Sequence, residues 1–295
     1  MPIVIAALVA AAGIASSFVG NAVFVFPSSS EPSLKLRLDT GGYDLVSAVA
    51  ARRLHLKEGS VHLTSGDRST FELPQPSALS SDALLQARPG ALESTFIEPV
   101  DGTLSFGRFA AQTLTIDFPK KTVTLGESHP GGDRVTMTVG LGARPAPNLA
   151  PTAFALVPVT IDGERIMMLL DTGADVAIDA ANRNRFDDAA ATRSLPLIPT
   201  ALFERLHARH ADWTVLNGAA RMAETKAAVT LLRIPEFLIG THRAPPTWFA
   251  VREDAETYTN LTRMFSTKVE GDLGGEALRA WRVTIDVPHE ALIID

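Results

Sequence analysis

What the chain lacks already removes several classes of chemistry. It has no cysteine, so it can form neither a disulfide nor a thiolate nucleophile. It contains no Gly-x-Ser-x-Gly nucleophile elbow and no phosphate-binding Gly-Lys-Ser/Thr loop. Aromatic residues make up only 6% of the chain, and its three tryptophans are scattered, as expected for core or cleft-edge positions. The sequence therefore offers no motif for cysteine, elbow-serine or P-loop chemistry.

Positive charge is also scarce. The formal net charge is -6 and no cluster of basic residues occurs, which argues against nucleic acid as a partner. His207 and His210 lie three apart on a predicted helix, but no Glu-plus-His pattern surrounds them, so we expect solvated histidines and no metal site. With 46% hydrophobic residues, the 295-residue chain is long enough for two domains with cores of their own.

Long apolar runs are missing as well. The longest near the N-terminus, residues 3–14, is too short for a membrane span and has the length of a signal-peptide core. Small residues at 13–15 would suit a cleavage point, and export to the periplasm or medium would follow. The first basic residue is Lys35, so the positive region of a signal peptide is missing. Residues 1–26 are therefore either signal-like, with membrane association only if uncleaved, or an N-terminal strand of a cytoplasmic protein.

One tetrapeptide, Leu-Asp-Thr-Gly, occurs twice, at residues 38–41 and 170–173, and each copy closes a strand-like run. A short helix is predicted after each copy. The first helix is opened by Ser47 as an N-cap, and the second has Pro199 in its first turn. The two motifs therefore share their surroundings as well as their letters.

The repeat continues to the ends of both halves. Residues 101–104 are followed by a strand at 114–118, and residues 270–274 by a strand at 283–287. The offset between copies grows from 132 at the motif to 152 at the helix and 169 at the closing strand, so the second copy carries insertions. We expect a duplicated, mainly β protein. Its predicted parts are a first lobe over 27–128, a Pro/Gly-rich linker over 129–150 with one strand near 135–139, and a second lobe over 151–295.

The second copy resembles a known family. Residues 169–175, Leu-Leu-Asp-Thr-Gly-Ala-Asp, preceded by the strand-like residues 157–163, look like the active-site strand of retropepsin-like aspartic proteases. Residues 271–278 resemble the Gly-containing segment and following helix of that family. The resemblance implies two acid-protease-like β-barrel lobes with short helices, related by a pseudo-twofold axis. In that family the lobes face each other either in a homodimer or in one bilobal, pepsin-like chain.

The resemblance also implies roles for the motif residues. Asp39 and Asp171 would share one proton and activate a water, so no cofactor or metal is expected. The threonine hydroxyls would cross to the opposite lobe, and the glycines would let the backbone approach the carboxylates. These supporting residues are Thr40, Gly41, Thr172 and Gly173.

Substrate contacts are expected from the residues after the second motif and from two flaps. Ala174 and Asp175 would contact an extended peptide or unfolded-protein substrate. The flap of the second lobe is predicted at residues 216–221, where Asn217-Gly218 favours a hairpin turn before a strand at 227–234. The flap of the first lobe is predicted at residues 64–67, which include Gly66.

The first copy departs from the family pattern. Gly42 and the bulky Tyr43 follow its motif, and Ser105 stands where the second copy has Gly274, so a side chain there could crowd the active loop. Residues 34–38 alternate apolar and basic, which predicts a half-exposed strand. Three hypotheses follow. The chain is a monomeric, bilobal aspartic endopeptidase, a peptide-binding module with an inactive first lobe, or a homodimeric protease that uses only Asp171.

Overall fold

The computed structural model describes residues 12–26, 34–63, 66–72, 84–88, 99–126, 131–141, 152–223, 225–253 and 255–295. Within these ranges the protein is mainly β, as the sequence predicted. Strands of the first half are β1 Ala12–Val19, β2 Ala22–Phe26, β3 Leu36–Asp39, β4 Leu45–Ser47, β5 Glu58–Leu63, β6 Gly66–Glu72, β7 Leu84–Arg88, β8 Gly102–Ser105, β9 Thr113–Asp117, β10 Thr122–Leu125, β11 Asp133–Thr136 and β12 Thr138–Leu141.

Strands of the second half are β13 Ala153–Ile161, β14 Glu164–Leu170, β15 Asp175–Ile178, β16 Thr192–Ser194, β17 Leu197–Pro199, β18 Val215–Met222, β19 Ala228–Ile234, β20 Phe237–Ile239, β21 His242–Ala244, β22 Thr247–Arg252, β23 Val269–Leu273, β24 Arg282–Asp286 and β25 Ala291–Ile294. The α-helices of the described residues are α1 Ala48–Arg53, α2 Thr200–Arg209, α3 Ala255–Phe265 and α4 Gly275–Leu278, and short 3-10 helices lie at Phe106–Phe109, Ala180–Arg185 and Val287–His289. None of the helices in the described ranges has the length and hydropathy needed to cross a membrane.

Both lobes repeat one strand-pairing pattern. In the first, β3 runs parallel to β8, and β4 pairs antiparallel with β8 and parallel with β7. In the second, β14 runs parallel to β23, and β17 pairs antiparallel with β23 and parallel with β22. The two motif-bearing strands, β3 and β14, thus occupy equivalent central positions, each flanked by a strand on either side.

A shared sheet joins the lobes, in the order β11-β25-β24-β9-β10-β1. At its centre β9 and β24 pair antiparallel, and Thr115 lies directly opposite Thr284. These two threonines are equivalent in the duplication, since they are 169 residues apart, and their hydroxyl oxygens lie 2.8 Å from each other. An equivalent pair can meet only on the pseudo-twofold axis, so the axis passes between them.

The predicted linker contains more structure than one strand. Residues 133–141 form β11, which pairs with β25, and β12, which pairs with β13. In the first lobe the single strand β1 pairs with both sheets, since its first residues pair with β10 and the rest pair with β2. Strand structure of the second lobe therefore begins by residue 133, and that of the first by residue 12. Most of the apolar run at 3–14 lies outside the described residues, whereas residues 13–15 lie inside β1.

The two predicted helices are present. The Ser47 hydroxyl accepts a hydrogen bond from the Ala50 N–H at 3.0 Å, which confirms the N-cap of α1. Helix α2 begins at Thr200, one residue later than predicted, because Pro199 is its N-cap. Helix α3 was not predicted. It packs Tyr258 and Leu261 onto an apolar cluster that includes Leu169 of β14.

Candidate active site

The two aspartates end equivalent strands. Asp39 is the last residue of β3, and Asp171 follows directly after β14. The chain turns sharply after each, since Gly42 N–H donates to Asp39 O and Ala174 N–H donates to Asp171 O. Central strands with neighbours on both sides hold their ends rigidly, so each carboxyl is presented from a fixed point.

The two motif loops meet face to face. A Cβ placed on Gly41 would lie 2.4 Å from Asp171 Cγ, and one placed on Gly173 would lie 2.1 Å from Asp39 Oδ1. Each glycine therefore lies against the aspartate of the opposite lobe, where no side chain fits. The two carboxyls are therefore close neighbours across the axis. A single chain thus brings both aspartates together without a second copy.

The motif threonines exchange hydrogen bonds across the axis. Thr40 Oγ1 donates to Leu170 O at 2.7 Å, and Thr172 Oγ1 donates to Leu38 O at 2.8 Å. In return, each threonine hydroxyl accepts the main-chain N–H of the other threonine, at 2.9 and 3.2 Å. Both threonines are fully buried. This reciprocal set ties the residue before each aspartate to the opposite loop.

Burial is the main influence on the acidity of the two carboxyls. It raises the pKa of Asp39 well above its usual range, and the neighbouring Asp171 charge raises it further. Burial also raises the pKa of Asp171, but the Gly173 N–H donates to Asp171 Oδ1 at 2.8 Å and opposes that rise. Both pKa values therefore lie above the usual range, and because the two carboxyls interact, the titration belongs to the pair and not to either residue.

Arg37 corrects the prediction of a half-exposed strand. Its side chain is completely buried and reaches from β3 into the opposite lobe. It donates to both carboxylate oxygens of Asp175 and to the main-chain oxygen of Thr172. The alternation of apolar and basic residues could not predict the burial of Arg37. Such a pattern shows which residues lie on the same face of a strand, but not which other segment packs on that face. The only available signal was a basic residue two positions before the aspartate.

Asp175 has a partner that the sequence did not predict. Both of its carboxylate oxygens accept hydrogen bonds from Arg37, at 2.7 and 3.1 Å, and the residue is buried. Its carboxylate is thus a cross-lobe structural partner, and its contact with a substrate stays a prediction. Ala174, predicted beside it as a substrate contact, is also buried and packs with Val176 and Ile178.

The hairpin of the second lobe turns at a different place from the one predicted. Asn217 and Gly218 lie inside β18, where the register with β19 shifts between Leu216 and Ala220. Gly218 has a φ of +58°, which suits a bulge as well as a turn. The turn instead follows Met222, whose N–H donates to Ala227 O. The strand predicted at 227–234 is confirmed as β19.

In the first lobe, β5 and β6 form a hairpin in which Leu63 pairs with Gly66. Gly66 therefore begins the returning strand beside the hairpin tip, and residues 64 and 65 of the predicted flap lie outside the described residues.

The departures of the first copy are accommodated. Gly42 is required, because a Cβ there would lie 2.2 Å from Asp39 Oδ2. Ser105 is buried, and its N–H donates to Asp44 Oδ1 at 2.6 Å, so the serine does not displace the loop. Tyr43 is about half exposed and packs edge-on against Phe154 of the other lobe.

The predicted histidines lie away from the motif loops. His210 stacks on Trp213 and lies 2.9 Å from Asp162, and His207 stacks on Phe203. Over the part of the chain that the structure describes, no group of three or more metal-ligating side chains is present. Comparison with protein-family models and with curated proteins gave no match to this chain.

Proposed function

We propose that this protein is an aspartic endopeptidase whose catalytic pair is Asp39 and Asp171. The observation that carries the proposal is the meeting of two equivalent, half-buried carboxyls at the pseudo-twofold axis, each against the glycine of the opposite motif. Two carboxyls in such contact cannot both ionise easily, and a pair that holds one proton contains an acid and a base at once. The chemistry that such a pair supports best is attack of water on a carbonyl.

In the proposed mechanism the charged member of the pair takes a proton from a water molecule as that water attacks the scissile carbonyl. The protonated member donates its hydrogen bond to the carbonyl oxygen and stabilises the developing charge. The resulting tetrahedral intermediate then collapses as a proton passes to the leaving amine. The enzyme forms no covalent intermediate, and its own side chains carry every proton.

The proposed substrate is an extended peptide or unfolded-protein segment that lies between the lobes. The β5–β6 hairpin of the first lobe supports this, because it is at the open end of the sheet order among the described strands. A hairpin in that position can cover a bound peptide and exclude water. We propose that the monomer of 31.5 kDa is the active species, since both aspartates come from one chain.

Cleavage of a denatured protein substrate tests the proposal. Asp39→Asn and Asp171→Asn should each abolish cleavage, and a pepstatin-type inhibitor should block the wild-type protein. The matched control is Asp212→Asn, which changes an exposed aspartate and should leave cleavage unchanged.

Other results would reject parts of the proposal. Peptide binding without turnover in the wild-type protein would make it a binding module. Activity that survives Asp39→Asn, together with a dimeric mass in size-exclusion chromatography, would make it a homodimeric enzyme that uses Asp171 alone.

A further inference from the structure

Arg37 contacts both motif loops with one side chain. Its Nη1 donates to Val23 O at 3.0 Å and to Leu38 O at 2.8 Å, on its own side of the axis. Its Nη2 crosses to the other lobe and donates to Thr172 O and to Asp175 Oδ1, while Nε donates to Asp175 Oδ2. All five N–H groups of the guanidinium therefore have acceptors.

Two of the three main-chain acceptors of Arg37 belong to neighbours of the two aspartates. Leu38 precedes Asp39 in the chain, and Thr172 follows Asp171. Leu38 O also accepts the Thr172 hydroxyl, and Thr172 O also accepts the hydroxyl of Ser194 at 2.8 Å. The guanidinium thus adds further hydrogen bonds to those between Thr40 and Thr172, and together they fix the separation of the two loops.

The Arg37 charge is fully buried and compensated by a single carboxylate. The planar guanidinium meets Asp175 with two parallel hydrogen bonds, a geometry that the ammonium of lysine cannot reproduce. A charge in this position also acts on the two aspartates. The positive charge of Arg37 lowers the pKa of both Asp39 and Asp171, and the negative charge of Asp175 raises both.

We propose that Arg37 is a positioning residue of the catalytic pair, which locks the two motif loops at their working separation and supplies a buried positive charge that favours ionisation of the pair. This rests on the proposed function. Arg37 does not itself touch the reacting atoms in the mechanism, so it acts through the loops and through its charge.

Other titratable groups near the pair are held by partners of their own. Tyr258 on α3 donates to Asp272 on β23, and its own pKa is raised by burial, by Asp272 and in part by Asp171. Arg252 of β22 lies 3.5 Å from the same Asp272. Among the described residues, buried ion pairs on surrounding elements also join Arg108 with Asp44 and Arg193 with Glu276.

The test uses Arg37→Gln, Arg37→Lys and Asp175→Asn, with Lys35→Gln as the control that removes a nearby positive charge from the same segment. The pH profile of kcat/KM should move to higher pH in Arg37→Gln, because the ionised pair loses its positive neighbour. It should move to lower pH in Asp175→Asn, because a negative neighbour is lost. Both variants should lower kcat by about 100-fold through misplacement of the loops, and the control should change neither quantity.

Arg37→Lys separates positioning from charge. This variant should lower kcat while keeping the wild-type pH profile, since the positive charge stays and the two parallel hydrogen bonds to Asp175 are lost. If a single variant fails to fold, the double variant Arg37→Met with Asp175→Leu removes both buried charges without leaving one unpaired. That variant should keep its fold, lose kcat and show a smaller upward shift of the profile than Arg37→Gln.

An unchanged pH profile in both Arg37→Gln and Asp175→Asn would overturn the inference, as would shifts of the same sign in the two variants. Carbon-13 titration of the aspartate carboxyls by NMR supplies a readout without substrate. If the wild-type protein cleaves no peptide while the titrations move in the stated directions, the proposed function fails and the assignment of the Arg37 charge stands.

Discussion

At the scale of the residue, close backbone approach is what this site demands. Gly173 lies against Asp39 so tightly that even a methyl group would occupy the place of the carboxyl. An aspartate displaced by an ångström no longer shares its proton well with its partner, and misplacement of that size can lower a rate by about 100-fold.

We therefore expect Gly173→Ala to abolish peptide cleavage in the denatured-substrate assay. The suitable comparison is Gly131→Ala, because a Cβ at that glycine would meet no atom within 4 Å. Full activity in Gly173→Ala would mean that the Asp39 carboxyl does not need its present position.

The raised pKa of Asp39 has a consequence for stability. Its folded-state pKa lies well above the usual 3.8, so the folded protein holds a proton that the unfolded chain releases. The contribution of Asp39 to the free energy of unfolding therefore falls as the pH rises from about 3.8 through the folded-state pKa.

Asp39→Asn should consequently be more stable than the wild type at neutral pH, and the difference should vanish below pH 3.8. Urea unfolding at a series of pH values measures this. If the variant is less stable than the wild type at neutral pH, the Asp39 carboxyl does not destabilise the folded protein at that pH.

At the scale of the element, the two lobes differ in what lies behind the loop. In the second lobe a Cβ on Gly274 would lie 2.4 Å from Leu195 O, just after β16. In the first lobe the equivalent residue is Ser105, which is buried and whose main-chain N–H donates to Asp44 Oδ1. The serine that looked like a defect in the first copy is therefore compatible with that lobe, whereas the second lobe requires glycine.

Gly274→Ala should destabilise the protein by about 1–3 kcal/mol, the usual effect of overpacking. Ser105→Ala is the matched substitution in the other lobe, and it should change the free energy of unfolding by less, since it adds no atom. Equal effects of the two substitutions in urea unfolding would contradict the difference between the lobes.

At the scale of the whole molecule, one axis relates the lobes and two threonine pairs mark it. Thr40 meets Thr172 at the loops, and Thr115 meets Thr284 in the shared sheet. Both Thr115 and Thr284 are buried, so a hydroxyl left without its partner retains the cost of desolvation, whereas removal of both hydroxyls does not.

Thr115→Val and Thr284→Val should therefore each lower the free energy of unfolding by about 1–3 kcal/mol, while the double variant should be close to the wild type. A double-mutant cycle in urea unfolding gives the coupling between the two sites. Additive losses would mean that the two hydroxyls do not depend on each other.

Much of this architecture could be predicted from local patterns. The repeated motif, the Ser47 cap and the closing strands depend on residues that are close together in the sequence, so their order and type could be predicted. The turn after Met222 could not be predicted in this way, because a glycine with positive φ serves a bulge and a hairpin turn equally well.

Local sequence patterns are enough to establish a mainly β duplication with an Asp-Thr-Gly turn in each half, because strands, turns and caps depend on short-range spacing. Long-range packing was needed to show that Asp39 meets Asp171, that the predicted linker adds strands to both sheets, and that Arg37 is buried against Asp175. One cause accounts for all three. Each of these features depends on which distant segment packs against a residue, and the local pattern of polar and apolar residues does not identify that segment.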